Sequence, residues 1–208
     1  MKRNFTTRLA LALFAFSVLL APTTRATDAP TLTPAVSDFE TEAAPEPEPQ
    51  ANNINVNGFF SVDPAAQGTS FQAAVVMEIP RGLHVNSNRP LGKYAVPTTV
   101  EVDAPRGMRV TPVFYPRGIT RAFSFGGVSA GRLAVYEGQA IFRFSVTVPA
   151  GMELGVARVR VKVRFQSCSD EVCFPPATRE LVLPIAIVGR GAQVNRINGR
   201  YFGGGRRR

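Results

Sequence analysis

The sequence predicts an all-β domain, an antiparallel sandwich of two sheets and of immunoglobulin-like size. Apolar and polar residues alternate with a period of two between residues 54 and 188, and proline and glycine repeatedly interrupt the alternation. No stretch beyond the N-terminal segment shows the period of an amphipathic helix. The region is also long enough to bury a core without covalent help. A small barrel is the second choice.

The predicted strands follow one another through this region. They cover residues 54–62, 71–79, 98–104, 108–115, 132–137, 139–148, 155–166 and 179–188. The clearest alternation runs from Val156 to Phe165, with valines on one face and Arg158, Arg160, Lys162 and Arg164 on the other. This pattern indicates a half-buried strand whose outer cationic row serves solubility.

Residues 1–26 have the three parts of a secretory signal peptide. Basic residues come first, residues 9–21 form an apolar run that is short for a membrane span, and small residues indicate cleavage near Ala26. An uncleaved anchor is the alternative. We therefore expect a mature chain that is periplasmic or otherwise exported, without a transmembrane segment, in a compartment where disulfides persist.

Two further segments flank the β region, which we assign to residues 53–189. Residues 27–52 are rich in proline, alanine and acids and predict a disordered linker. Residues 190–208 are rich in glycine and arginine and predict a flexible tail. Such a tail could bind RNA or acidic lipid, but no nucleic-acid-binding fold accompanies it, so we expect no nucleic-acid partner.

The chain has two cysteines, Cys168 and Cys173, and one histidine, His84. Structural zinc takes four cysteine or histidine ligands in paired spacings, which this sequence does not offer. We therefore predict no metal and no other cofactor. A copper site built from the two sulfurs and His84 remains an alternative hypothesis.

The cysteine pair has two further interpretations, a structural disulfide and a redox-active dithiol. Closing so short a loop stabilises a fold by roughly 2 kcal/mol, against nearly 5 kcal/mol for a loop of about 100 residues. Asp170 and Glu171 lie between the cysteines, and their negative charge disfavours a thiolate. Such a dithiol would react slowly with random disulfides and faster inside a docked complex. From the residues alone both interpretations stay open.

The segment after Cys173 is apolar and stiff. Val172, Phe174, Pro175 and Pro176 could form a docking surface for a partner protein. The alternative is that they only end a strand and pack its edge.

Several segments together resemble one family, the N-terminal periplasmic domain of the thiol:disulfide interchange protein DsbD. The most specific segment is "FQSCSDEVCFPPATREL", and "IPRGLHVNSNRPLGKYAVPTTVEV", "VFYPRG" and "RLAVYEG" occur in the expected order. The resemblance covers nearly all of residues 54–188. It implies an immunoglobulin-like sandwich whose cysteine pair cycles between dithiol and disulfide.

The resemblance also implies partners and roles. The domain would take electrons from a thioredoxin-like donor and pass them to exported acceptors, such as disulfide isomerases or cytochrome c maturation factors. Cys173 would form mixed disulfides with these partners and Cys168 would resolve them, without a cofactor. The chain would then be a thiol:disulfide oxidoreductase of the protein-disulfide reductase type, acting with partner proteins.

Members of the family shield the sulfurs with a cap loop bearing an aromatic residue. The matching stretch is "RAFSFGGVSAG", in which Phe125 is the first candidate and Phe123 the second. Gly126 and Gly127 would supply hinge freedom. Ordinary core packing is the alternative role for both phenylalanines.

Three more positions are candidates for lining the site. His84 and Asn86 lie two apart on a short extended run and therefore share a face. A histidine beside a dithiol could tune a thiol pKa, or it could instead be hydrogen-bonded and fix the turn that follows. Tyr136 could line the site or fill the interface between the sheets.

The sequence also departs from the family. DsbD has a multi-span membrane domain and a thioredoxin-like domain, and we find neither here, so we expect a separate electron donor. The cap region lacks the acidic residues of better-known members. Two other hypotheses therefore stay open, a binding or scaffold module with a structural disulfide and a copper-handling domain.

Overall fold

A computed structural model describes residues 53–125 and 128–203, with the backbone alone for residues 125 and 128–130. In this part of the chain the elements are β1 (Asn55–Phe60), β2 (Val62–Asp63), β3 (Ala65–Ala66), β4 (Ser70–Ile79), β5 (His84–Asn86), β6 (Thr99–Asp103), β7 (Arg109–Val110), β8 (Ile119–Phe125), β9 (Val128–Tyr136), β10 (Gly138–Thr147), β11 (Gly155–Phe165), β12 (Ser167–Cys168), β13 (Ala177–Val188), β14 (Asn195–Arg196) and the helix α1 (Gly199–Phe202).

Two four-stranded sheets form the sandwich. The first has the strand order β1-β4-β10-β7, and the second has the order β3-β13-β11-β6. Their pairings are antiparallel, apart from the short parallel contact of β13 with β3. The all-β, immunoglobulin-like antiparallel sandwich predicted from the sequence is confirmed.

The core lies between the inner faces of these sheets. The first sheet contributes side chains such as Val75 and Phe142, and the second contributes Val159, Val161 and Phe165, all in one cluster. On β11 every second residue from Ala157 to Phe165 is buried, and the residues between them are exposed. The period of two in the sequence therefore correctly predicted which face of β11 is buried, and the cationic residues face outward.

A third sheet carries the cysteine segment. Its strand order is β12-β5-β9-β8, so the short strand that contains Cys168 pairs with β5, and β5 pairs with β9. The strand β8 pairs with β9 through residues 119–125. Residues 121–125 and 128–131 of the stretch predicted to be a cap loop therefore belong to β8 and β9, and residues 126–127 lie outside the described residues.

The predicted strand at 108–115 is shorter in the structure. Only Arg109 and Val110 form β7, and Phe114 makes an isolated bridge to Arg143. Pro112 lies between these two contacts, and because proline has no backbone N–H it cannot donate to a ladder.

The segment after residue 189 differs from the flexible tail that composition predicts. Its strand β14 pairs with β2, and the backbone N–H of Ile197 donates to the carbonyl of Ser61 at 3.0 Å. The side-chain amide of Asn198 donates to the carbonyl of Phe60 at 3.0 Å. Residues 190–203 are therefore attached to the edge of the sandwich.

Tyr201 continues this attachment on the outer face of the first sheet. It is buried against Ala74 and Val76, and its ring stacks on Phe59 with centroids 4.3 Å apart. Arg143 Nε donates to the Tyr201 carbonyl at 2.7 Å. The apolar outer face of β4 therefore explains why a glycine- and arginine-rich segment packs here.

The predicted signal peptide (1–26), the predicted linker (27–52) and residues 204–208 lie outside the described residues. Within residues 53–203, apart from the gap at 126–127, no helix has the length and apolarity needed to cross a membrane.

Candidate redox site

Cys168 and Cys173 form a disulfide across a tight turn, with Cα atoms 4.0 Å apart. The turn is closed by the backbone N–H of Ser169, which donates to the carbonyl of Val172 at 2.8 Å. The hydroxyl of Ser169 accepts hydrogen bonds from the N–H groups of Glu171 and Val172 at 3.2 and 3.1 Å. Serine in this role is a local turn-former, and it places the two acidic residues at the exposed tip.

The two cysteines differ in exposure. Cys168 lies on β12 beside β5 and is completely buried, whereas Cys173 is exposed. A protein partner can therefore reach Cys173 from solvent, while Cys168 is accessible to Cys173 alone without local opening. This asymmetry is what a pair needs if one sulfur exchanges with partners and the other resolves the product.

Gln166 holds the segment that follows Cys173. Its side-chain oxygen accepts from Asn86 Nδ2 at 3.0 Å and from the N–H of Val96 at 3.2 Å. Its side-chain amide donates to the carbonyl of Phe174 at 3.2 Å. One half-buried glutamine thus joins β5, the loop before β6 and the residue next to the exposed sulfur.

His84 lies directly opposite Cys168 in the pairing of β5 with β12. It is 2% exposed, and its Nε2 atom has no hydrogen-bond partner in the described part of the chain. Its ring stacks on Phe123, with centroids 4.2 Å apart. Burial lowers the pKa of His84 below its ordinary value, while Asp170 raises it and Arg121 lowers it further.

A charged cavity of about 280 Å³ opens beside His84. Arg121 and Glu137 form an ion pair on its wall, with Nε and Oε1 3.1 Å apart, and Asp170 lines it from the cysteine turn. Both acids and the arginine therefore lie close to the one imidazole of the chain.

Asn86 shares the face of His84, as predicted from their spacing. It is 1% exposed and donates to Gln166, but its Oδ1 atom has no partner among the described residues. It lies at the site as a support for the cysteine turn.

Tyr136 lies on the other face of the third sheet. It is paired with Val85, the residue between His84 and Asn86, and belongs to the main core. Its hydroxyl donates to Asn88 Oδ1 at 3.0 Å, and burial raises its pKa. The structure therefore does not bring Tyr136 together with the cysteines.

The two candidate cap residues fall in different positions. Phe123 is buried and covers His84. Phe125 belongs to β8 by its backbone, but its side chain lies outside the described residues, as do Gly126 and Gly127. The role of Phe125 as a cap stays a prediction.

The proposed docking residues form a partly exposed apolar strip next to Cys173. Pro175 and Pro176 are exposed, and Val172 is 51% exposed at the turn. Phe174 is partly buried and packs against the core. The strip thus combines an anchored ring with surface that a partner could cover.

Sequence reasoning missed three contributors to this site. Ser169 directly follows Cys168 and Gln166 lies two residues before it, and the turn-forming character of serine was a usable signal. The ion pair of Arg121 with Glu137 depends on how β8 and β9 align, which no local pattern reveals.

No group of three histidine, cysteine or acidic side chains is arranged to hold a metal ion in the part of the chain that the structure describes. His84 is the neighbour of Cys168, but it and the two sulfurs do not form such a group.

An all-β sandwich that presents one exposed and one buried cysteine of a disulfide on an edge turn defines a class of candidate thiol–disulfide exchange domains. The family model described as "Thiol:disulfide interchange protein DsbD, N-terminal" matches residues 53–184. The chain therefore belongs to the DsbD N-terminal family. Its members use a disulfide and not a cofactor, and membership together with the Cys168–Cys173 disulfide supports a thiol–disulfide exchange module.

Two solved structures are similar to the chain at low identity. The N-terminal domain of DsbD from Neisseria meningitidis, in its reduced form, is 15% identical, with a TM-score of 0.40, and the match covers 71% of this chain and 93% of that one. The N-terminal periplasmic domain of ScsB from Proteus mirabilis is 13% identical, with a TM-score of 0.42, and the match covers 66% of this chain and 51% of that one. No curated protein sequence matches the chain. The family assignment rests on the sequence match over residues 53–184.

Proposed function

We propose that this chain carries electrons by thiol–disulfide exchange between a thioredoxin-like donor and exported acceptor proteins, through Cys168 and Cys173. The observation that carries the proposal is the difference in exposure of the two cysteines, one completely buried and one at the surface. A purely structural disulfide has no need of this difference.

The exchange has two halves. A donor thiolate attacks the sulfur of Cys173, the intramolecular S–S bond breaks, and its electron pair leaves on Cys168. A second donor thiolate then displaces Cys173, and the domain holds two thiols. In the second half the Cys173 thiolate attacks an acceptor disulfide, and Cys168 resolves the mixed disulfide by attacking Cys173.

The surface around Cys173 supports docked rather than random exchange. Asp170 and Glu171 are exposed beside the sulfurs, and their charge disfavours a freely reactive thiolate. The strip of Val172, Pro175 and Pro176 offers apolar area that a partner could bury. We place this exchange in the periplasm, where the family's domain works and disulfides persist.

Trapping mixed disulfides tests the proposal. A Cys168→Ala variant keeps the exposed sulfur and has no resolving thiol, so it should accumulate a mixed disulfide with an oxidised periplasmic disulfide isomerase. The matched Cys173→Ala variant should accumulate little, because its remaining sulfur is buried. Equal trapping by both variants, or trapping by neither, would overturn the proposed roles.

A further inference from the structure

His84 is a buried polar side chain, and packing alone does not explain why one of its ring nitrogens is buried without a partner among the described residues. If the histidine only fixed the turn after β5, its ring nitrogens would be hydrogen-bonded, because a buried polar atom without a partner destabilises the fold. Instead Nε2 has no partner among the described residues, and the ring is held flat against Phe123. The imidazole is thus held by Phe123, and its Nε2 atom is available to accept or donate a proton.

The position of this imidazole relative to Cys168 is set by the sheet. Directly opposed residues of an antiparallel pair point to the same face, with Cβ atoms about 4.5–5.5 Å apart. His84 and Cys168 are such a pair. Because Cys168 is completely buried, a thiolate formed on it cannot be stabilised by bulk water and needs a nearby proton donor.

We propose that His84 is the acid–base partner of Cys168, taking the thiol proton when Cys168 attacks and returning a proton when Cys168 leaves. The inference rests on the proposed function and deepens it, since it assigns the proton transfer that the buried sulfur requires.

The resolving step moves one proton and one electron pair. The proton of the Cys168 thiol moves to the free nitrogen of the neutral imidazole, and the sulfur's electron pair forms the bond to the Cys173 sulfur. The bond from Cys173 to the acceptor sulfur breaks, and its electron pair leaves as the acceptor thiolate. The imidazolium then loses its proton to solvent through the charged cavity beside it. In the reducing half the same groups act in reverse.

Charged side chains face His84 or its cavity from several neighbouring segments. Asp170 in the cysteine turn favours the imidazolium, Arg121 on β8 opposes it, and Glu137 after β9 pairs with that arginine. Arg81 lines the same cavity from the turn before β5. Burial outweighs these charges and keeps His84 neutral near neutral pH, which is the form that can accept a proton.

A stopped-flow experiment with dithiodipyridine, a small aromatic disulfide, separates the two steps. The reduced protein should release one thiopyridone when Cys173 attacks and a second when Cys168 resolves. A His84→Gln variant should keep the first phase within about twofold and slow the second by about 10²-fold, the lower end of general acid–base catalysis. The wild-type second phase should rise with pH through the imidazole titration, and the variant should follow the thiol alone.

The control variant is Asp170→Asn, which keeps the histidine and removes a charge that raises its pKa. Its second phase should keep the bend in the pH profile but move it to lower pH. An unchanged second phase in His84→Gln, in rate and in pH profile, would overturn the inference while leaving the proposed function intact. Absence of the first phase in the wild-type protein would overturn the proposed function and this inference with it.

A second measurement needs no variant, because His84 is the one histidine of the chain. Its imidazole resonances can be titrated by NMR in the oxidised and the reduced protein. Coupling to Cys168 predicts midpoints that differ between the two redox states by at least about half a pH unit. Equal midpoints would contradict the assignment, even if His84→Gln failed to fold.

Discussion

Replacing Gln166 with alanine is expected to lower the free energy of unfolding more than the same change at Gln67, a partly buried glutamine far from the site. The side chain makes three hydrogen bonds, to Asn86, to the N–H of Val96 and to the carbonyl of Phe174. Alanine removes all three and leaves the buried Asn86 amide without this partner.

The magnitude follows from that count. A typical intramolecular hydrogen bond contributes about 0.5–1.5 kcal/mol net, so three bonds together contribute about 3 kcal/mol to the free energy of unfolding. Because Gln166 is only half-buried, water replaces part of this loss, and we expect about 2–3 kcal/mol.

Urea unfolding of the oxidised proteins measures this difference without breaking the disulfide. Gln67→Ala is the matched control, because that partly buried glutamine donates one bond, to the Met152 carbonyl, far from the site. It should cost about 1 kcal/mol. Gln166→Glu keeps the two accepted bonds and loses the donor to Phe174, so it should fall between the two. A Gln166→Ala cost no larger than that of Gln67→Ala would mean that the three hydrogen bonds of Gln166 do not stabilise the cysteine turn.

Three further predictions concern stability. Because the pKa of His84 is lowered in the folded protein, the unfolded chain binds a proton on this residue more readily. The oxidised protein should therefore lose stability as pH falls below about 6.5, and a His84→Phe variant should lose this dependence. The same pH dependence of urea unfolding in the wild-type protein and the variant would contradict this prediction. Tyr201→Ala should destabilise the protein by about 2–3 kcal/mol through loss of its buried ring. Gln193→Ala, at an exposed position of the same segment, should change the free energy of unfolding by under about 0.5 kcal/mol; equal effects would mean that the C-terminal attachment contributes little. Reducing the disulfide should lower the free energy of unfolding by only about 2 kcal/mol, because the loop that it closes is short. A loss of about 5 kcal/mol would indicate a structural disulfide.

The sequence was sufficient for the sandwich because its strands alternate. Val159, Val161 and Phe165 are buried where the period of two places them, and the cationic residues between them are exposed. His84 and Asn86 lie two residues apart on β5, so the geometry of a strand puts them on one face.

The remaining features depend on contacts between distant segments. In the sequence Tyr201 belongs to a polar segment. Its burial depends on the apolar outer face of β4, which lies more than a hundred residues earlier in the chain. Gln166 is a recognisable neighbour of Cys168, but the bond to Val96 depends on a loop that lies seventy residues away. Composition and periodicity are local properties of the sequence, so they do not predict contacts between residues that are far apart in the chain.

The midpoint potential of the Cys168–Cys173 disulfide distinguishes a reversible electron carrier from a structural bond. The mature protein would be equilibrated in glutathione or dithiothreitol buffers of stepped ratio, and free thiols would be trapped at each step. A reversible carrier should show a single two-electron transition above about −300 mV, within reach of thioredoxin-like donors. A midpoint well below about −300 mV would contradict it and identify the bond as a structural disulfide.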